Sequence, residues 1–304
     1  MAGEGPRDPE ELEARGGLAG GELSALSRVG AIQLTVAQLA RSLDYYQRTI
    51  GLEVLDQEAG RARLGVAERA LLELVEDAGA RPSFGHTGLY HFALLLPERA
   101  DLARWLAHAA HERVSLAGLS DHFVSEAIYL SDPDGHGIEI YRDRPRESWE
   151  GQVAARMTTL PLDVRDLLSG LGENGAEPYA GLPRETIMGH VHLKVAAIGD
   201  TIAFYRDLLG FGLMAQLGAQ AAFLGAGGYH HHIGANTWES AGASPAPKGV
   251  VALGHASIEL PTSSERELVL DRLSRSAQTV LDSDAGALVH DPSGNKLLLT
   301  VAGS

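Results

Sequence analysis

Asp132-Pro133-Asp134-Gly135-His136-Gly137-Ile138-Glu139-Ile140-Tyr141 is a tight turn feeding a short strand in which one carboxylate stands among apolar neighbours. The arrangement returns as Asp291-Pro292-Ser293-Gly294-Asn295-Lys296-Leu297-Leu298-Leu299, 159 residues later (291 − 132), and that offset sets Leu298 against Glu139. One copy keeps an acid and the other has none. Side chains alternate along a strand, so Ile138 and Ile140 share one face and Glu139 takes the other. A lone Glu on a surface strand needs no further explanation. If its face is enclosed, as inside a barrel, the carboxylate needs a partner, and a metal ion best offsets its desolvation.

The same offset recurs upstream. Residues 188–195 (Met-Gly-His-Val-His-Leu-Lys-Val) fall on residues 29–36, Thr201-Ile202-Ala203-Phe204-Tyr205 on Ser42-Leu43-Asp44-Tyr45-Tyr46, and Gly210 on Gly51. Matches at one offset, about a hundred residues apart, indicate internal duplication. Each copy reads as two β-α-β-β-β units. The first has a strand at 29–36, a helix from Ala37 closed by Gly51, and short strands at 52–55, 62–66 and 70–75. The second has strands at 90–96, 125–130 and 137–141 around a helix at 99–111. In the later copy, residues 254–260 answer 90–96 with a five-residue slip, absorbed by the Ala/Pro/Gly loop near 240–249. The expected organisation is a flexible tail at 1–26, a first domain at 27–142, a linker at 143–187 with one helix over 162–171, and a second domain at 188–302.

Composition narrows the function classes. With 25 Lys+Arg against 40 Asp+Glu, the formal charge is −15, which argues against a nucleic-acid partner. There is no cysteine, so disulfides, thiolate zinc sites and a cysteine nucleophile are excluded, and any metal must use His, Asp or Glu. The Gly/Glu/Arg-rich first residues lack the apolar core of a signal peptide, and no apolar run of about 18 residues occurs, so a cytoplasmic protein with no membrane partner is expected.

Four β-α-β-β-β units in two tandem pairs, with a DPxG turn before the last strand of each pair, resemble the vicinal oxygen chelate superfamily. It includes glyoxalase I, the fosfomycin and bleomycin resistance proteins and the extradiol ring-cleaving dioxygenases. The resemblance covers residues 27–301 except the linker. It implies an α+β fold of two tandem glyoxalase-like domains with cupped half-barrel sheets. It also implies a divalent metal held by the first strand of one unit and the first and last strands of another. Residue by residue, the first ligand is then His190 or Ala31, the second His91 or His255, and the third Glu139 or Leu298. Neither tandem copy is complete alone. If the front unit of one copy closes on the back unit of the other, His190, His91 and Glu139 meet in one cup, and Ala31, His255 and Leu298 are left in a metal-free one. That exchanged pairing is expected here because only it yields a two-His-one-carboxylate set, which suits Fe(II), Mn(II) or another divalent metal.

Further residues fall in the same cup. Residues 229–234 (Tyr-His-His-His-Ile-Gly) are expected to be a strand, so either His231 or the pair His230 and His232 faces inward. The segment from His122 to Tyr141 is similar to the last part of extradiol dioxygenases. There the equivalent of His122 binds substrate, a Tyr near the position of Tyr129 assists, and an inward His on the triple-His strand, best matched by His231, moves protons. His192 shares the strand face of His190 and is expected to line the cavity. Gly118 is expected in a turn bordering the pocket, and His86, His108, His111, His136 and His290 are expected to be solvated. The resemblance thus implies an Fe(II)-dependent catechol 2,3-dioxygenase-like enzyme acting on an aromatic diol and O2, with oligomerisation common in the superfamily. The alternatives are a glyoxalase-like isomerase or lyase, which would supply a fourth, carboxylate ligand where this chain has His230 to His232, and a metal-free binding protein of the bleomycin-resistance type.

Overall fold

In a computed structural model, which describes residues 23–171, 179–283 and 285–303, the duplication is visible in the elements. The first unit comprises β1 (Arg28–Val36), α1 (Leu39–Tyr45), β2 (Glu53–Glu58), β3 (Arg61–Val66) and β4 (Arg69–Glu76). The second comprises β5 (Gly88–Leu95), α2 (Arg99–His111), β6 (Leu116–Asp121), β7 (Ser125–Ser131) and β8 (Gly137–Asp143). After a linker holding α3 (Val153–Arg156), β9 (Leu160–Pro161) and α4 (Val164–Ser169), the third unit runs β10 (Ile187–Lys194), α5 (Ile198–Ile202), β11 (Gly212–Leu217), β12 (Ala221–Gly225) and β13 (Ile233–Asn236). The fourth has β14 (Ala252–Leu260), α6 (Ser263–Arg275), β15 (Val280–Ser283), β16 (Gly286–His290) and β17 (Lys296–Val301). Helices α1 and α5 each continue into a π-helical turn that ends on a left-handed glycine, Gly51 (φ 93°) or Gly210 (φ 97°), a conformation glycine takes without a Cβ clash.

The units pair across the copies. One sheet of eight strands has the order β15-β16-β17-β14-β1-β4-β3-β2, joining the first unit to the fourth. The other, of nine strands, has the order β11-β12-β13-β10-β5-β8-β7-β6-β9, joining the third unit to the second. This is the exchanged arrangement. The seams are antiparallel pairs, β1 with β14 and β10 with β5. At the centre of the nine-stranded sheet, β10 is buried on both faces from Met188 to Leu193, whereas β1 in the other sheet alternates between buried and half-buried residues. On one face Ile32, Leu34, Phe92, Leu94, Ile138, Ile140, Val191, Leu193 and Ile258 build the main core. Ile138 and Ile140 are both wholly inaccessible, and burial of each side chain stabilises by roughly 2–3 kcal/mol. The opposite face forms the cup.

The DPxG turns are held identically. Tyr46 Oη donates to Asp132 Oδ2 at 2.9 Å, and Tyr205 Oη to Asp291 Oδ2 at 3.2 Å. The other carboxylate oxygen takes backbone N–H groups two and four residues on, from Asp134 and His136 in one copy and Ser293 and Asn295 in the other. The repeated motif is therefore a structural lock between helix and turn.

Several expectations need correction. Gly118 lies within strand β6, paired with β7, because its missing side chain hid the alternation. The linker helix is shorter than 162–171, starting after Asp163, whose carboxylate caps the N–H of Asp166. Residues 229–232 precede strand β13 instead of belonging to it. His136 is buried and its Nε2 bonds the Thr35 carbonyl at 3.0 Å, while His108 stacks on Tyr179. Of the expected tail, residues 1–22 lie outside the described set; Leu23 is buried and its N–H donates to the Gly210 carbonyl at 3.0 Å. No helix among the described residues is long and apolar enough to cross a membrane.

Candidate metal centre

Strand β5 runs between β10, antiparallel, and β8, parallel. One rung of this three-strand centre reads His190–Ala93–Glu139, and the next reads His192–His91–Gly137. The small Ala93 in the middle leaves the space into which His190, Glu139 and, diagonally, His91 converge. Their exposures are 1%, 2% and 4%. His91 Nε2 lies 3.0 Å and His190 Nε2 3.1 Å from Glu139 Oε2, and the two nitrogens are 3.3 Å apart. Ligand atoms about 2.1 Å from one ion at adjacent corners of an octahedron lie about 3 Å apart. The three donors thus already have the spacing of an octahedral face, and they form a His/Glu/His cluster able to hold a metal ion. Ala31, His255 and Leu298 lie in the other sheet, on β1, β14 and β17 in that order.

The electrostatics suit a cation. Burial works against the Glu139 carboxylate, but His190 and His91 beside it hold its pKa well below the ordinary value. Burial keeps the His190 imidazole neutral at pH 7, with Glu139 opposing that shift. An ionised acid beside a neutral imidazole matches the donor state a divalent ion requires. Gly189 makes room for Tyr141, since a Cβ there would overlap the Tyr141 hydroxyl, and the Tyr141 ring sits 4.9 Å from that of His190.

Of the three consecutive histidines, His231 lines the cup, its ring 4.1 Å from that of His190. His230 instead turns to Asp143, with Nε2 at 2.8 Å from Oδ1. Its Nδ1 lies 2.8 Å from Nδ1 of His231. These contacts set proton positions. Asp143 accepts from Tyr229 Oη at 2.9 Å as well as from His230, so Nε2 of His230 carries a proton, and in the neutral ring its Nδ1 is an acceptor. His231 therefore donates through Nδ1, and its Nε2 is left as a lone pair. Burial and the neighbouring histidines push the His231 pKa well below the usual value, so the ring is neutral at pH 7. His232 is turned elsewhere: Nδ1 accepts from the Ala226 N–H at 3.1 Å, and burial takes its pKa to about 3. Neither His230 nor His232 lines the cup.

His122 and Tyr129 reach the cup from the other side. His122 Nδ1 lies 2.9 Å from the Thr158 carbonyl, which can only accept, so Nδ1 is protonated and Nε2 accepts from Tyr129 Oη at 2.7 Å. His192 also lines the cup, with its ring 4.9 Å from that of His91, and a Cβ at Gly234 would lie 2.8 Å from it. Burial keeps His192 neutral. The cup, lined in addition by Ser125, Met157 and Phe223, encloses about 20 Å³. Sequence reasoning missed Asp143 and the linker residues Met157 and Thr158. Asp143 was findable, because alternation carries the cup face of β8 from Glu139 through Tyr141 to residue 143.

Comparisons with known proteins agree with this geometry. The Glyoxalase/Bleomycin resistance protein/Dioxygenase superfamily profile matches residues 28–140. A catechol-2,3-dioxygenase of Bacillus subtilis (strain 168) is 40% identical over 272 residues, covering 88% of this chain and 94% of the relative. Among solved structures, a putative dioxygenase from Bacillus subtilis subsp. subtilis str. 168 matches with a TM-score of 0.64 at 14% identity, covering 93% of this chain and 87% of that one. Glyoxalase I from Zea mays matches with a TM-score of 0.56 at 17% identity, over 90% and 92% of the two chains. These two likenesses bear on the fold alone. By the extent of its match to the curated relative, the chain belongs to the glyoxalase/bleomycin resistance/dioxygenase superfamily.

Proposed function

We propose that the protein is an extradiol dioxygenase that opens a catechol-type aromatic diol with O2, using Fe(II) held by His91, Glu139 and His190. The reading rests on the donor set itself: two buried imidazoles and one buried carboxylate at 3.0–3.3 Å from one another. The relative named as a catechol-2,3-dioxygenase, at 40% identity, supports the substrate class. Mn(II) suits the same donors, and iron is preferred because the two-His-one-carboxylate set is the usual one for non-haem Fe(II) oxygenases. Bound there, Fe(II) supplies a shared point of attachment for diol and dioxygen and an electron path between them.

The remaining work falls to the chain. His231, neutral and with its Nε2 lone pair free of the His230 contact, takes the proton of a diol hydroxyl. His230 and Asp143 act as positioning residues, since they fix the tautomer that exposes that lone pair. Tyr129, its O–H committed to His122, presents oxygen lone pairs to the other hydroxyl. His192 and Phe223 flank the ring. The flexible Met157 thioether also lines the cup and can adapt its shape to a bound ring.

The test uses purified protein reconstituted with Fe(II) and a panel of catechols. Substrates should give a yellow ring-opened product with consumption of O2. One equivalent of iron bound with no turnover across the panel refutes the activity.

A further inference from the structure

The chain contains three lysines, Lys194, Lys248 and Lys296. All three line one cavity of about 740 Å³. The other 22 basic residues (25 − 3) are arginines, and none of those among the described residues lines it. The cavity is distinct from the metal cup: the two share no lining residue. It sits where the two copies face each other, between the paired DPxG turns. Thr35 and Lys194 are duplicates at the 159-residue offset, as are Gly135 and Gly294, and His136 and Asn295.

Backbone and loop contacts bring the three lysines to the rim of one cavity. Asn295, next to Lys296, donates through Nδ2 to the Lys194 carbonyl at 3.4 Å. The loop carrying Lys248 folds over the same turn: Pro245 packs on Gly294 and bridges to Thr87, whose hydroxyl bonds the Ser293 carbonyl at 2.7 Å. Elsewhere arginines supply the ion pairs, as in Arg28–Glu259, Arg99–Glu126 and Arg144–Asp121. Among the described residues Lys248 and Lys296 form no ion pair, and Lys194 has a single loose one, 3.8 Å from the exposed Glu239. Two acids also line the cavity, Asp77 and Asp134. Asp134 is already matched by Arg41 and the Ala37 N–H, which leaves Lys248 and Lys296, with Lys194 loosely held by Glu239, against Asp77. In a chain of charge −15 this is a local reversal of sign.

We infer that the cavity between the two DPxG turns is a binding site for a small dianion, a dicarboxylate or phosphate ester, held by Lys194, Lys248 and Lys296. Lysine suits this role because its ammonium is a compact point charge on a flexible stem, able to follow an anion that imposes no bidentate geometry. The ligand differs in class from a neutral aromatic diol. The site nonetheless adjoins the metal cup through two strands: Leu89 precedes His91 by two residues on β5, and Lys194 follows His192 by two on β10.

The chain's lysines provide the assay, because every side-chain amine in the protein lies at the site. The metal-loaded full-length protein is treated with an amine-acetylating ester, and each lysine is followed by peptide mass spectrometry with inorganic phosphate, succinate or sodium chloride at matched ionic strength. At a dianion concentration ten times its Kd, acetylation should slow about tenfold at all three lysines. Chloride should not protect. The exposed-residue variant K248Q/K296Q should keep its fold and metal content but lose the rise in Tm that the dianion gives the unaltered chain. Protection by phosphate alone identifies a phosphate ester, by succinate alone a dicarboxylate, and by both a site that reads charge only. No protection by either dianion, or an equal Tm rise in K248Q/K296Q, overturns the proposal. No arm measures diol turnover, so the outcome is independent of the proposed activity.

Discussion

The two cups occupy equivalent registers of duplicated sheets and have opposite contents. Where the nine-stranded sheet places His190, Glu139 and His192, the eight-stranded sheet places Ala31, Leu298 and Gln33. His91 alone has a like counterpart, His255, whose pKa burial lowers. Gly234, which leaves room for the His192 ring, is answered by Glu73, and Glu73 accepts from Gln33 Nε2 at 3.2 Å. The locks around both cups are nevertheless the same, down to the Tyr46–Asp132 and Tyr205–Asp291 bonds. Features present twice thus hold the fold, while two of the three candidate metal donors, His190 and Glu139, are present once. Three aligned positions are enough to separate the two cups.

That comparison can be broken at its centre. His91→Ala or Glu139→Ala should lose the bound ion altogether, with metal affinity falling more than about 100-fold, since even outer partners of a metal site commonly cost 10–100-fold. His255→Ala should leave one equivalent in place. Elemental analysis after dialysis reads both, and the reverse ranking would move the site to the other sheet. The converse experiment builds the missing donors: Ala31→His with Leu298→Glu, beside His255, should raise the metal content from one equivalent to two. A content still at one would show that these donors alone do not make the second cup a metal site.

The relay behind His231 has no counterpart in the other sheet, and its removal should cost less than loss of the ion. His230→Phe should lower kcat about 100-fold, the low end of the usual range for general acid–base catalysis, at unchanged metal content. Imidazole nitrogen NMR should then show His231 no longer held in the Nδ1–H form. Asp143→Asn still offers an amide oxygen to His230 and should retain most of the rate.

The smallest expected effect is on stability. His232 has a pKa of about 3 in the folded protein against an ordinary value near 6.5, so between those values the unfolded chain binds a proton that the native chain does not. Stability therefore falls as the pH drops through this window, by about 1.4 kcal/mol per pH unit for this residue. His232→Asn keeps an acceptor for the Ala226 N–H and removes the titration. Denaturant unfolding from pH 6.5 to 5 should be less steep in pH for the variant by about that amount.

The four duplicated units were legible in sequence as alternation plus a constant offset, whereas the pairing across copies and the His190, His91 and Glu139 set followed from the resemblance to the vicinal oxygen chelate superfamily. Glu139 stood out between Ile138 and Ile140, and Leu298 at the matching position showed that an acid there is optional for the fold. The relay was less legible. Asp143 and His230 are 87 residues apart, and residues 229–232 leave the sheet, so alternation does not say where their side chains point. Strand β6 escaped because Gly118 interrupts its period. The linker's part in the cup, through Thr158 and Met157, depends on a chain path without any repeat to read.

The exchange of units between sheets also has a consequence for biosynthesis. Strand β1 finds its antiparallel neighbour only once residues 252–260 have left the ribosome, so the amino-terminal unit must wait with an open hydrogen-bonding edge for most of translation. His91 likewise meets His190 only after a further 99 residues. An ion seated between them would act as a clasp across a long stretch of chain, favouring the finished molecule over any partly emerged one.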